Sequence, residues 1–306
     1  MTRATRATVE GRTYLDLQQR VRRDSRPFDE LLALYTLEGF LARLAASRHA
    51  SNLVLKGGLL LAAYDARRPT RDADFAARQV TNDVEEISRL VQEIAAISAD
   101  DGLAFDLDSA RGELIRDEDA YSGVRVHLDC RLASAKTYLN VDVNVGDPIS
   151  PAPELIHIPR LLAEDETIDL FGYPLSMIHA EKIVTALQRG SVNTRWRDFA
   201  DIYLLSRQHP IDGDDLEGAL QVVAQHRGVR LVPLAEALAG YADVPGVQSK
   251  WSAWRRRQQL DDRLPESFTE VLEQVYVFAD PAIAGNRADA EWHPGDLAWR
   301  PDGGRA

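Results

Sequence analysis

Apolar residues recur at helical spacing across residues 28–48, where Leu31, Leu34, Tyr35, Leu41, Leu44 and Ala45 fall on one stripe. Ser25 and Pro27 supply its start signal, and a more polar helix is expected over residues 9–24. The next apolar run, Leu53-Val54-Leu55, reads as a short strand that meets Lys56 and the pair Gly57-Gly58. Leu59 to Tyr64 is a helix-forming run, Pro69 marks a turn, and Asp72-Ala73-Asp74-Phe75-Ala76 reads as a second short strand. Asn82 and Glu85 have capping-box spacing ahead of a helix whose stripe is Val84, Ile87, Leu90, Val91, Ile94 and Ile97.

Between residues 103 and 146 the period changes from helical to alternating. Stretches 105–107, 114–115, 124–129 and 138–145 read as strands, separated by turn signals such as Ser122-Gly123. The proline-rich stretch 146–153 reads as a domain boundary, and 168–175 as a connecting strand and turn. Ser176 is expected to cap a helix from Met177 to Arg189, followed by a second helix over 194–207 and helical structure over 213–280. The polar end, 281–306, is rich in Gly, Pro and Asp and reads as a loosely held tail, pinned by Trp292 or Trp299. The pattern gives an α/β protein in two parts, a sheet domain over 1–150 and a helical domain over 151–280, plus the tail.

The chemistry concentrates in residues 53–76. Alternation places Asp72 and Asp74 on one face of their strand while Ala73 and Phe75 face the core. Their Cα atoms would lie roughly 6.6 Å apart, a spacing from which two carboxylates can converge on a pair of divalent ions. Gly57 and Gly58 lack a Cβ, so backbone N–H groups there can approach a phosphate, with the positive end of the following helix behind them. Lys56 and Arg71 flank the two motifs and complete the candidate nucleotide-binding set. An ordinary turn with two solvated aspartates is the plainer explanation, which the order strand, glycine pair, helix and acidic strand disfavours.

Gly57-Gly58, thirteen intervening residues and Asp72-Ala73-Asp74 together resemble the opening signature of the DNA polymerase β-like nucleotidyltransferases. The flanks, Lys56-Gly57-Gly58 and Arg68-Pro69-Thr70-Arg71-Asp72-Ala73-Asp74-Phe75, more narrowly resemble the AbiEii/AbiGii toxin group, which includes the MenT toxins. Glu181-Lys182-Ile183, Arg189 and Arg197-Asp198-Phe199-Ala200-Asp201 resemble the second signature of that group. One position departs: Leu59 stands where many relatives carry a hydroxyl that holds a phosphate oxygen. The resemblance implies a mixed sheet flanked by helices, with a C-terminal helical domain completing the active site. It implies transfer of a nucleoside monophosphate from an NTP, with Mg²⁺ or Mn²⁺ held by Asp72 and Asp74, to an acceptor such as a tRNA 3′ end. It also implies that Lys182 contacts phosphates beside Asp198, and that the protein is the toxin of a pair with a cognate antitoxin.

Three positions keep alternatives open. Asp142, in Val141-Asp142-Val143, would supply a third metal ligand; Asp129 is a rival, and a polar residue on an open sheet face explains either. Lys182 alone would read as an exposed lysine beside an Arg197–Asp201 helix pair. Thr70, two residues before Asp72, is a candidate regulatory hydroxyl: a phosphate there would add about −1.5 to −2 charge at the lip of the acidic site. For Trp251-Ser252-Ala253-Trp254-Arg255-Arg256-Arg257, two buried tryptophans on a helix with a solvated basic face compete with RNA stacking and phosphate contact.

Composition narrows the classes. No apolar stretch approaches a membrane span, and no apolar segment follows the basic N-terminus, so a cytoplasmic protein is expected. The single cysteine, Cys130, excludes an internal disulfide and a cysteine-rich zinc site, and the histidines lack metal-ligand spacing. A net charge of −12 argues against a broadly basic nucleic-acid binder but allows a local basic groove. Two other readings stay in play: a nucleotidyltransferase acting on an aminoglycoside-like small molecule or a protein side chain, and a binding protein that kept the fold.

Overall fold

A computed structural model describes residues 4–66, 69–116, 122–163, 165–190 and 195–301. Arg68 of the first motif lies outside them. The chain divides into two compact units, Met1–Asp147 with Glu154–Gly172, and Pro148–Pro153 with Tyr173–Ala306.

The first unit opens with helices α1 (Val9–Asp24) and α2 (Phe28–Ala45). Strand β1 (Leu53–Lys56) runs into a single helical turn, α3 (Gly57–Leu60), and a 3₁₀ turn at Leu61–Tyr64. Strand β2 (Asp72–Ala77) and helix α4 (Val84–Ala95) follow, and then β3 (Leu103–Phe105), β4 (Arg111–Arg116), β5 (Ser122–Leu132) and β6 (Ala135–Val145). Strands β7 (Glu154–Pro159) and β8 (Thr167–Gly172) complete an eight-stranded mixed sheet of order β3-β5-β6-β2-β1-β8-β7, with β4 also paired to β5. β2 runs parallel to β6 and β1 parallel to β8, and the other pairs are antiparallel.

One face of this sheet is apolar. Val124, Val126 and Leu128 of β5, Leu139, Val141 and Val143 of β6, and Ala73 and Phe75 of β2 are fully buried there. Helices α2 and α4 pack over the sheet through Leu31, Leu34, Leu41 and Leu44 and through Ile87, Val91 and Ile94. The opposite face carries the polar members of the same alternation.

Local starts differ from the sequence expectation by a residue or two. Asp83, not Asn82, caps α4, accepting a hydrogen bond from the Glu86 amide at 2.8 Å. Ser25 ends α1 in the left-handed region at φ 52°, and Pro27 sits at the N-cap of α2.

The second unit contains α5 (Leu175–Arg189), α6 (Trp196–Ser206), the two-residue strand β9 (Ile211–Asp212), α7 (Gly213–Arg227), the short α8 (Leu234–Ala237), α9 (Val247–Arg257) and α10 (Phe268–Ile283). Pro174 stands at the N-cap of α5, so Ser176, read as the cap, is buried in its first turn. Strands β10 (Ala290–His293) and β11 (Ala298–Pro301) pair with each other, and β10 pairs with β9. This is where the structure departs most from a loose tail. Trp292 is fully buried, packs edge-on against Phe278 with centroids 5.0 Å apart, and donates from Nε1 to the Ser206 carbonyl at 2.5 Å. Trp299 stacks on Phe278 at 5.8 Å, packs edge-on against Trp292 at 5.6 Å, and donates to the Phe278 carbonyl at 2.9 Å. The two tryptophans bury enough apolar area to order a segment whose composition is otherwise that of a tail.

The boundary differs as well. Residues 154–172 return to the first unit, because β8 adds to the sheet beside β1 in register Leu55↔Gly172. Among the described residues, no helix is long and apolar enough to cross a membrane.

Candidate active site

Two neighbouring rows of side chains cross the polar face of the first unit's sheet. Pairing sets Lys56 opposite Asp74, Asp74 beside Asp142, Asp142 opposite Arg125 and Arg125 opposite Glu113. The next row runs Asp72, Asn140, His127. Directly paired residues share a face, so Asp72, Asp74 and Asp142 come from two adjacent parallel strands onto one surface. Asp72 and Asp74 are half-buried, while Ala73 and Phe75 between and beyond them are fully buried.

Each carboxylate has a different environment. Asn140 donates from Nδ2 to Asp72 Oδ1 at 2.9 Å, and its side-chain Oδ1 lies 2.9 Å from His127 Nδ1. Asp142 is held on both oxygens by Arg125, through Nε at 2.7 Å and Nη2 at 2.6 Å. That bidentate contact raises the Arg125 pKa, with further support from the charges of Asp142, Asp72 and Glu113. Asp129, the rival third carboxylate, is exposed further along β5, 3.3 Å from His127 Nε2. Lys56 is buried and pairs with Asp147 at 2.5 Å. Arg71 is exposed, and the Thr70 hydroxyl donates to the Asp72 carbonyl at 3.3 Å.

Gly57 has φ +70°, and a Cβ built there would lie 2.0 Å from Asp74 Oδ2 and 2.7 Å from its Cγ. The glycine therefore makes room for the carboxylate itself. Only one α-turn follows before the 3₁₀ turn, so any phosphate contact here rests on unpaired N–H groups rather than on a long helix dipole. Gly57→Ala is expected to lower transfer by roughly 10²-fold, the scale of moving a reacting group by about 1 Å. Steady-state assays alongside thermal melting separate that loss from the strain cost of a non-glycine residue at positive φ.

The donor set can be tested against a divalent ion. Asp72 and Asp74 offer hard oxygen donors from one strand face, as Mg²⁺ or Mn²⁺ require. Mg²⁺ commonly takes one or two carboxylates and fills its other positions with water and substrate phosphates. Among the described residues no group of three His, Cys, Asp or Glu side chains converges as a ligand set, and Arg125 holds both oxygens of Asp142. The fit is to a two-carboxylate site.

The second unit brings together a different cluster. Lys182 of α5 donates to Asp201 Oδ2 at 2.7 Å and lies 3.5 Å from Asp198 Oδ1, both on α6. Arg195 Nε is 2.8 Å from Asp198 Oδ2. The two aspartate side chains are 4% and 2% exposed and Lys182 11%, so these charges have given up most of their hydration. Buried ion clusters contribute little net stability, but removing one partner would leave the others buried and uncompensated.

Residues 39–274, more than half of the chain, match the model of a family described as nucleotidyl transferase AbiEii toxin, type IV TA system. The chain belongs to the AbiEii nucleotidyltransferase family. No protein of curated function matches it. Among solved structures, it is similar to a candidate nucleotidyltransferase from H. pylori, at 15% identity and TM-score 0.48, covering 84% of this chain and 96% of that one. It is also similar to JHP933 from Helicobacter pylori, at 16% identity and TM-score 0.45, covering 82% and 90%.

Beside Lys182 in this AbiEii-family chain sits His179, wholly buried, its ring 4.7 Å from that of Phe278. Neither ring nitrogen has a hydrogen-bond partner among the described residues. Burial first, then the charge of Lys182, pushes its pKa down to about 3. The unfolded chain, with a histidine near 6.5, binds the extra proton between pH 6.5 and about 3, so this group makes stability rise with pH across that window. Its contribution is ~1.4 kcal/mol per pH unit there, about 2 kcal/mol between pH 5 and pH 7. Urea unfolding at those two pH values is expected to show a smaller difference in His179→Leu than in the unaltered protein.

Sequence reading missed three participants. Arg125 and Asn140 become neighbours of the carboxylates only through the register of β5, β6 and β2. Asp201 was within reach, since it follows Asp198 by three residues on one helix face. Trp251 is buried and donates to the Pro265 carbonyl at 3.2 Å, and Trp254 stacks on it at 5.4 Å, so packing accounts for that pair. A cavity of about 460 Å³, lined by Arg48, His49, Asp83 and Glu93 among others, lies past the opposite ends of β1 and β2 from Gly57 and Asp72.

Proposed function

We propose that this nucleotidyltransferase moves a nucleoside monophosphate from an NTP to the 3′-hydroxyl of an RNA, with tRNA as the acceptor, and does so with a divalent ion at Asp72 and Asp74. The observation that carries the reading is the pair of half-buried carboxylates on one strand face, with Gly57 shaped around one of them. A bound Mg²⁺ or Mn²⁺ would supply charge neutralisation on the α-phosphate and on the leaving group. Asp72 is oriented by Asn140, and Asp74 is fixed against the Gly57 turn, so both donors are set before substrate arrives. The acceptor oxygen forms a bond to the α-phosphorus, the α–β bridging P–O bond breaks, pyrophosphate leaves, and the hydroxyl proton passes to solvent. Backbone N–H groups at Gly57 and Gly58 cradle phosphate oxygens, which suits a site where Leu59 offers no hydroxyl.

Lys182 is assigned to the triphosphate from its motif, as a point charge that Asp198 and Asp201 hold in place. The family also brings the toxin role and an antitoxin partner to the proposal. Thr70, bonded to the Asp72 carbonyl, is the hydroxyl at which modification would set negative charge beside both carboxylates.

The experiment is incubation of the purified protein with each α-labelled NTP, a divalent ion and, separately, tRNA, other RNA and cell protein. Label on tRNA is the expected result. Label confined to protein or small molecules would overturn the acceptor assignment.

A further inference from the structure

The two flanks of Asp74 are chemically different. On one side stands the glycine turn after β1; on the other, beyond Asp142, stands Arg125 of β5. In phosphoryl transfer the attacking and leaving oxygens lie roughly in line. With the triphosphate on the glycine turn, the acceptor comes from the Arg125 side. This inference therefore rests on the nucleotidyltransferase reading above.

From Arg125 the open face continues along β5 and β6. Alternation puts Arg125, His127, Asp129 and Arg131 on it from β5, and Asp142, Asn140, Tyr138 and Lys136 from β6. Their in-between neighbours, Val126, Leu128 and Leu139 among them, are buried on the other face. Tyr138 is 40% exposed, and its ring lies 5.2 Å from that of His127. An exposed, half-supported aromatic ring is a platform for stacking a base. At the far end Arg131 and Lys136 are both exposed and directly opposite one another. Like charges in that position are destabilising unless an anion lies between or over them. Of the acidic residues of the strip, Asp142 is held by Arg125, and Asp129, directly opposite Tyr138, is exposed and 3.3 Å from His127. In a chain of net charge −12, the exposed Arg131–Lys136 pair and the exposed Tyr138 stand on the same face as the carboxylates.

We propose that the 3′ strand of the acceptor RNA lies along this strip, its phosphates meeting the Arg131–Lys136 pair and a base stacking on Tyr138. The strip spans roughly 20 Å from Asp142 to Lys136, six residues at about 3.3 Å each. A polyanionic single strand fits it; a cationic drug does not.

Binding of deacylated tRNA is measured by fluorescence anisotropy at two salt concentrations. The proteins compared are the unaltered chain, Tyr138→Ala, Tyr138→Phe and the double variant Arg131→Gln/Lys136→Gln. Affinity for Mg²⁺-NTP and the thermal midpoint are measured on each. Tyr138→Ala is expected to weaken tRNA binding by at least about fivefold, with Tyr138→Phe retaining it. The double variant is expected to weaken binding and to reduce the salt slope by about 1 to 2. All three are expected to bind Mg²⁺-NTP as the unaltered chain does. Unchanged tRNA affinity and salt slope in Tyr138→Ala and in the double variant, with NTP binding intact, would overturn the strip. An unaltered chain that binds no NTP would instead overturn the nucleotidyltransferase site.

Discussion

Alanine at Asp72 or at Asp74 is expected to lower nucleotidyl transfer by at least about 10²-fold and to leave the fold intact. Both side chains project from β2 on the polar face, and the residues that anchor the strand, Ala73 and Phe75, point the other way and are fully buried. Removing a carboxylate therefore deletes an electrostatic contact without opening the core. At Asp72 it leaves the Asn140 amide without its 2.9 Å acceptor, a small cost on a half-open face. At Asp74 it empties the space that Gly57 leaves for a carboxylate oxygen. Far-UV circular dichroism and thermal midpoints matching the unaltered chain, with transfer reduced in both variants, are the expected pattern. Near-normal transfer by both would end the two-carboxylate reading.

Trp292→Ala is expected to destabilise the second unit by about 3–5 kcal/mol. That is a large share of the ~5–15 kcal/mol by which a domain is stable. The indole is fully buried among Phe278 and Trp299, with centroids 5.0 and 5.6 Å away. Its Nε1 also satisfies the Ser206 carbonyl at 2.5 Å, which alanine would leave without that donor. Urea unfolding followed by tryptophan fluorescence and circular dichroism reads the shift in midpoint. A change under ~1 kcal/mol would mean that residues 290–301 do form the loose tail their composition suggests.

The contrast between these two regions shows what the sequence could and could not disclose. Asp72 and Asp74 were legible because strand alternation is local: two residues apart is the same face, whatever the partner strand. The stripes of α2 and α4 were legible for the same reason. Arg125 was not, because its meeting with Asp142 depends on a pairing register between residues seventeen positions apart. The place of β8 beside β1 depends on pairing across more than a hundred residues, so that strand read as a connector. Asp201 was visible as a helix neighbour of Asp198, but its obvious partner by spacing was Arg197. The structure gives it Lys182 from another helix. Composition misled at the C-terminus, where two tryptophans outweigh their polar neighbours in deciding whether the backbone is ordered.

The measurement that bears most directly on the central claim follows the fate of two phosphorus labels. Purified protein is incubated with deacylated tRNA and either α-labelled or γ-labelled NTP, with divalent ion present or chelated, beside the Asp72→Ala and Asp74→Ala variants. The account predicts that α-label joins the tRNA, that γ-label appears only as pyrophosphate, and that chelation or either substitution abolishes both. Transfer of γ-label to the acceptor, or α-label transfer that persists in both variants, would contradict it.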